Sequence, residues 1–179
     1  MWLLYVVFGV AFLGVYLYNR LIVLKMRVSN SWRQIDVQLK RRADLIPNLV
    51  DTVKGYASHE RELFAKVTEL RSKVAGGGSV KEISEANNAL TGVLKSLFAV
   101  AEAYPDLKAN QNFMMLQEEL SGTESKIAFA RQFYNDTVMN LNTAIHMFPT
   151  NIMAAIISLK DADYFVIPEE ERELPKVSF

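Results

Sequence analysis

Any chemistry in this 179-residue chain has to start from two histidines, twenty carboxylates and a run of three glycines. There is no cysteine to supply a thiolate nucleophile, a disulfide or a soft metal ligand. A helical bundle that holds metal uses pairs of Glu-x-x-His projecting inward, and neither His59 nor His146 has a glutamate three residues before it. His59-Glu60 is not followed by the second histidine of a zinc-protease helix. Both histidines are therefore expected at the surface or in turns. No Gly-x-Ser-x-Gly elbow is present, and Asp161-Ala162-Asp163 lacks the rest of a calcium loop. A phosphate loop follows a strand and ends in Gly-Lys-Ser/Thr. Gly76-Gly77-Gly78 instead follows a helical pattern and runs into Ser79-Val80-Lys81, which makes it an inter-helix connector. The expectation is no catalytic centre, no metal and no cofactor.

The polar groups that stand out lie near apolar seams: Asp36, Arg42 and Asn48, then Asn87 and Asn88, then Glu124, Arg131, Asn135 and Asp136. Such groups cost stability unless paired, and their usual role is to fix the register of packed helices. The alternative is a binding surface built from the same residues. A second set, Arg33, Lys40, Arg41 and Arg42, forms a basic stretch that could meet anionic lipid or a protein partner.

The elements that position these groups follow from periodicity. Val28, Trp32, Ile35, Leu39, Ala43, Ile46, Val50, Val53 and Ala57 recur at steps of three or four, which predicts a long amphipathic helix bent near Pro47. Leu63, Val67, Leu70 and Val74 predict a shorter second helix, and the junction near Gly55 to His59 is open to either a turn or continuous helix. Ser79 with Glu82 forms a capping box that starts a third helix, whose stripe runs from Ile83 to Tyr104 and stops before Pro105. Phe113, Leu120, Ile127, Tyr134, Leu141 and Phe148 then recur every seven residues, the pattern of a long helix packed at small crossing angles. The fold class expected is all-α: a transmembrane helix followed by an elongated antiparallel four-helix bundle with long first and last helices. The apolar segment Ile152 to Ile157 must be covered, by the end of the bundle or else by a partner or the membrane surface.

From Met1 to Leu24 the only charged side chain is Arg20, and about 36 Å of helix suffices for a ~30 Å hydrocarbon layer. Trp2 and Tyr5 at one end and Tyr16 and Tyr18 at the other suit the two interfaces. No basic residue precedes the run and no small-x-small site follows it, which favours an uncleaved anchor over a signal peptide. Arg20, Lys25 and Arg27 follow the span, so positive charge predicts the N-terminus outside and the rest in the cytoplasm. The expected organisation is an anchor over 1–24, a helical domain over 25–165 and an acidic, proline-containing tail over 166–179, in which Val177 and Phe179 could dock. With twenty basic against twenty acidic side chains, nothing points to nucleic acid.

Several strings resemble the LemA family of bacterial proteins: Trp32 to Arg42 running into Asp44-Leu45-Ile46-Pro47-Asn48-Leu49-Val50 and Val53 to Ala57; Glu85 to Leu90; Ala101 to Asn110; Ala130 to Asp136; and Phe148-Pro149. The likeness covers essentially the whole chain. It implies a single-pass protein of the bacterial inner membrane with a cytoplasmic helical bundle, and it supplies no catalytic residue or cofactor to carry over. One such relative is associated with magnetosome membranes, and neighbouring genes often encode membrane proteases, so the resemblance implies scaffolding or membrane quality control by analogy. The partners expected are the bilayer through residues 1–24, a membrane or envelope protein, a second copy in a homo-oligomer, and anionic lipid.

Overall fold

Apolar side chains at steps of three and four produce helices throughout the chain, and among the described residues no strand occurs. The structure is a computed structural model that describes residues 1–57 and 59–166. Its elements are α1 (Trp2–Lys54), α2 (Arg61–Ala75), α3 (Val80–Glu102), α4 (Pro105–Lys108), α5 (Gln111–His146) and α6 (Thr150–Ile156). The expected membrane segment and amphipathic stem are one helix, α1, with Pro47 inside it. Proline removes one helical hydrogen bond there, and burial of Ala43, Ile46, Leu49 and Val50 around it holds the turn in place. A turn at Gly55 and Tyr56 separates α1 from α2, closed by the Ala57 N–H donating to the Val53 carbonyl.

Two compact units are present, one made of residues 1–35 and 130–164, the other of residues 36–129 with Phe165 and Val166. Both α1 and α5 contribute to each unit. In the second unit the buried stripes are Leu39 to Val53 of α1, Phe64, Val67, Leu70 and Val74 of α2, Ile83, Leu90, Leu94 and Leu97 of α3, and Phe113, Leu120 and Ile127 of α5. α2 packs along α3, and Phe98 meets Phe113 edge-on at 6.2 Å. The capping box expected at the start of α3 is present: the Ser79 hydroxyl accepts from the Glu82 N–H, and the Glu82 carboxylate accepts from the Ser79 N–H at 2.9 Å. These bonds hold the Glu82 carboxyl below the usual carboxylate range. Pro105 stops α3 and opens the single turn of α4, which seats Leu107 in the core.

In the first unit Leu21 of α1 is fully buried against Ala144 of α5 and Ala154 of α6, with Leu24, Ile145, Met153, Ile157 and Leu159 around them. The seven-residue repeat of α5 holds from Phe113 to Leu141 but not at Phe148, which is 77% exposed. α5 ends at His146, and the turn into Pro149 carries Phe148 off the buried stripe. The apolar segment after it packs by one face only: Met153, Ala154 and Ile157 turn inward, while Ile152 and Ile156 face out. The first turns of α1 have no cover among the described residues. Leu3, Phe8 and Phe12 are among the many exposed apolar residues there, and the helix contains a stretch of mean hydropathy 1.8 that is long and apolar enough to cross a membrane. The expected docking of Val177 and Phe179 lies outside the described residues.

Candidate functional site

Chemistry-bearing side chains gather in one place in each unit. In the second unit the centre is Arg42, whose side chain is only 4% exposed. Leu39 and Ala43 of the buried stripe flank it in sequence, so α1 turns its guanidinium inward with them. Nη1 donates to Asn87 Oδ1 at 3.1 Å and to Thr91 Oγ1 at 3.0 Å, both on α3. It also lies 2.7 Å from Glu124 Oε2 on α5. That last contact is a charge pair without hydrogen-bond alignment, and Arg42 Nε has no acceptor. Burial pulls the guanidinium below its ordinary value while Glu124 pulls it back up, and the group remains a cation. Arg71 of α2 adds a further tie, donating from Nε to the Ala43 carbonyl at 2.8 Å. A cleft of about 250 Å³ beside Arg42 is lined by Thr91, Lys95, Phe98, Gln117 and Glu124.

This geometry separates Arg42 from the basic stretch in which the sequence placed it. Arg33 is exposed, Lys40 pairs with Asp36 one turn away at 2.7 Å, and Arg41 pairs with Glu119 at 2.7 Å in the open. Exposed pairs of this kind contribute little to stability. Arg42 belongs with Asn87 and Glu124, across three helices. Asn48 is exposed and lines a shallow cleft of about 340 Å³ with Met115 and Glu119. Asn88 donates to the Val166 carbonyl at 3.1 Å.

In the first unit the Ser31 and Thr137 hydroxyls meet at 2.8 Å inside the packing of α1 on α5, and Trp32 lies against Tyr134 at 5.6 Å. Tyr134 donates its hydroxyl proton to the Asp163 carbonyl at 2.8 Å. Asn142 clamps the residue before Asp163, donating to the Ala162 carbonyl at 3.0 Å and accepting from the Ala162 N–H at 2.8 Å, so that residues 162–163 form a strap over α5. His146 meets Asp161 at 3.0 Å. Arg131 and Asn135 are half-buried and partnered, and Asp136 is exposed beside a cleft of about 390 Å³. A larger cleft of about 610 Å³ lies between α1 and α5, lined by Tyr16, Asn19, Arg20 and Arg27 with Asn140, Thr143 and Met147. Among the described residues its lining has two cations and no acid. Tyr18 and Lys25 are exposed on the same stretch of α1, as are Trp2 and Tyr5 at its start.

Thr91, the Ser31–Thr137 contact and the clamp of Asn142 on the strap were absent from the sequence reading. They are single polar residues whose partners lie far along the chain, and no local spacing marks them. Burial, with a smaller contribution from Asp163, pushes the Tyr134 phenol up to about 12. The folded chain therefore holds this proton after the unfolded chain has begun to lose it near pH 10. Stability from this group is complete below pH 10 and is expected to fall as pH rises from about 10 to about 12. Thermal unfolding of wild type and Tyr134→Phe across that range checks it: the slope should be shallower in the variant, which also loses about 1 kcal/mol from the missing hydrogen bond.

Among the described residues no cluster of three His, Asp or Glu has metal-holding geometry. The model of the LemA family matches residues 31–179. "Protein LemA" of Metamycoplasma hominis is 29% identical over 158 residues, covering 86% of this chain and 71% of that protein. "Magnetosome protein MamQ" of Magnetospirillum gryphiswaldense is 23% identical over 174 residues, covering 83% of this chain and 64% of its own length. "Magnetosome protein MamQ 2" of Paramagnetospirillum magneticum is 24% identical over 184 residues, with 87% and 68% covered. The family match takes in Arg42, Asn87 and Glu124, the second half of α1 and all of α2 to α6. On this extent of similarity the chain belongs to the LemA family.

Proposed function

We propose that this chain is a single-pass, membrane-anchored helical scaffold that binds another membrane or envelope protein. The carrying observation is the start of α1. Phe8 and Phe12 are 71% and 77% exposed, and Leu3 is 81% exposed, on a helix with no charged side chain before Arg20. A helix apolar all round and left uncovered by the other described residues is stable in lipid and costly in water. The proposal takes residues 1–24 as the anchor, 25–165 as the helical domain and 166–179 as a tail. The N-terminus lies outside and the domain in the cytoplasm of a bacterium, because Arg20, Lys25 and Arg27 favour that side.

The helices of the second unit are read as an antiparallel four-helix bundle. Support comes from Arg42 on α1 reaching α3 and α5, and from Arg71 on α2 reaching α1. On this reading Arg42, Asn87 and Glu124 serve register among α1, α3 and α5, not catalysis, and Arg131 and Asn135 serve it in the first unit, whereas Asp36 pairs with Lys40 on its own helix. Val37, Met115 and Phe129 are exposed apolar side chains of this unit and offer contacts to a partner. The relatives' names, Protein LemA and magnetosome protein, name no reaction, which accords with a non-enzymatic role. A photo-crosslinking amino acid at Phe129 in living cells is expected to give discrete adducts with membrane or envelope proteins; adducts with lipid alone would contradict the scaffold.

A second reading, recognition of anionic lipid, is favoured by the cleft holding Arg20 and Arg27. Among the described residues neither these nor Lys25 and Arg33 have an acidic partner. Each such cation near a membrane surface is worth about 1 kcal/mol.

A further inference from the structure

The anchor proposed above is a single helix, and α6 lies beside its Arg20 end. A Cβ built on Gly14 would sit 3.7 Å from Met153 Cε, and Leu21 is buried against Ala154. Gly14 precedes Arg20 by six residues, about 9 Å along a helix axis at 1.5 Å per residue. If Arg20 marks the headgroup level, Ala154 packs on Leu21 at that level, and the Met153 side chain reaches to the lipid side of it. Three further observations accord with that depth.

First, from Met147 to Leu159 no side chain carries a charge, and the stretch is bounded by His146 on one side and Lys160 and Asp161 on the other. Second, His146 and Asp161 meet at 3.0 Å, so the excursion is closed at its base by a polar contact. Third, apolar side chains dominate the exposed side of α6 and the residue before Pro149: Phe148, Ile152 and Ile156 are 77%, 54% and 70% exposed, and Asn151 is the one exposed polar side chain of α6. Ile152 and Ile156 are one turn apart and form a single outward ridge. The backbone of the excursion is largely self-satisfied, as immersion in hydrocarbon demands. The Asn151 N–H donates to the Met147 carbonyl, the Thr150 hydroxyl shares its one proton between the carbonyls of Ala144 and Met147, and the Ser158 and Leu159 N–H groups donate to the carbonyls of Ala155 and Ala154.

We infer that α6 and its flanks form a re-entrant elbow that dips into the bilayer leaflet on the Arg20 side, seated on α1 by Met153 and Ala154 and facing acyl chains with Phe148, Ile152 and Ile156. The inference rests on α1 being a membrane anchor. At seven residues α6 cannot cross a bilayer, so the elbow enters and leaves by the same face. The chain then meets its leaflet at two points, and rotation of α1 about its own axis is restrained.

The absence of cysteine allows single labelled positions in the full chain. Ile152→Cys, Ile156→Cys, Phe8→Cys and Asn112→Cys, each carrying an environment-sensitive fluorophore, are reconstituted into phosphatidylethanolamine–phosphatidylglycerol vesicles. Quenching is read with aqueous iodide and with lipids bearing a nitroxide near the headgroup or near the chain end. The expected result is a blue-shifted emission at 152 and 156, quenched by the shallow nitroxide and shielded from iodide, with position 8 quenched by the deep nitroxide and position 112 by iodide alone. Iodide quenching at 152 and 156 with position 8 still in lipid overturns the elbow and leaves the anchor standing. Iodide quenching at position 8 overturns the anchor itself. Shielding at 152 and 156 without nitroxide quenching means that protein, such as a second copy of the chain, covers the face, and also overturns the elbow.

Discussion

Replacing Glu124 by alanine is expected to destabilise the chain by about 2–3 kcal/mol, and replacing Arg42 by methionine by no more than about 1 kcal/mol. The asymmetry follows from burial. Arg42 is 4% exposed at its side chain and cannot turn to water, so loss of Glu124 leaves a buried cation facing only Asn87 and Thr91. Breaking a fully buried pair costs about 3–5 kcal/mol, and the smaller figure here reflects the 38% exposure of Glu124, whose charge water already screens in part. Methionine in place of Arg42 keeps most of the volume and removes the charge, and its cost of about 1 kcal/mol comes from leaving the buried Asn87 Oδ1 without its donor. Glu124 can then hydrate, and Thr91 keeps its bond to the Asn87 carbonyl. Chemical denaturation of the full chain in detergent, with the double variant to close the cycle, measures both. Equal costs, or a larger cost at Arg42, would mean that the cluster is held by packing and not by charge.

Two lysines in the first half of α1, Phe8→Lys with Phe12→Lys, are expected to remove the protein from the carbonate-resistant membrane fraction. At mid-span each lysine costs about 2.5–3.5 kcal/mol of insertion free energy, so the pair costs about 5–7 kcal/mol. The control uses residues of similar exposure elsewhere. Phe129 is 75% and Met115 66% exposed, comparable to Phe12 and Phe8. Lysines at 115 and 129 should leave membrane association unchanged. Equal exposure with opposite consequences separates a lipid-facing surface from a water-facing one. Retention of the 8 and 12 double variant in the membrane would show that the anchor lies elsewhere.

Much of the fold was legible because burial repeats at helical spacing. Ile35, Leu39, Ala43, Ile46, Val50 and Val53 were read as one stripe and all are buried, as are Phe113, Leu120, Ile127, Tyr134 and Leu141. The Ser79–Glu82 box was legible because it is a local motif with its own hydrogen-bond geometry. Periodicity misled at Phe148, since a repeat says nothing about where a helix stops, and α5 ends two residues earlier. The single turn of α4 is too short to show any period, although Pro105 is placed where a helix begins.

The polar clusters were only half legible. Arg42, Asn87 and Glu124 each stood out as charge or amide near an apolar seam, but their meeting depends on how three helices come together. For the same reason the spacing of Arg42 fitted the basic stretch and the interior equally well. The packing of α6 against Gly14 had no signal beyond the apolar character of residues 152–157, because a glycine in a membrane helix is common and its neighbour is distant in sequence.

The proposed scaffold requires α1 to cross a membrane with Arg20, Lys25 and Arg27 on the cytoplasmic side. Paired fusions to the C-terminus of the full chain in bacterial cells test that most directly. Bright green fluorescent protein is expected, with silent alkaline phosphatase, which acts only outside the cytoplasm. Active phosphatase with dark fluorescent protein would contradict that topology.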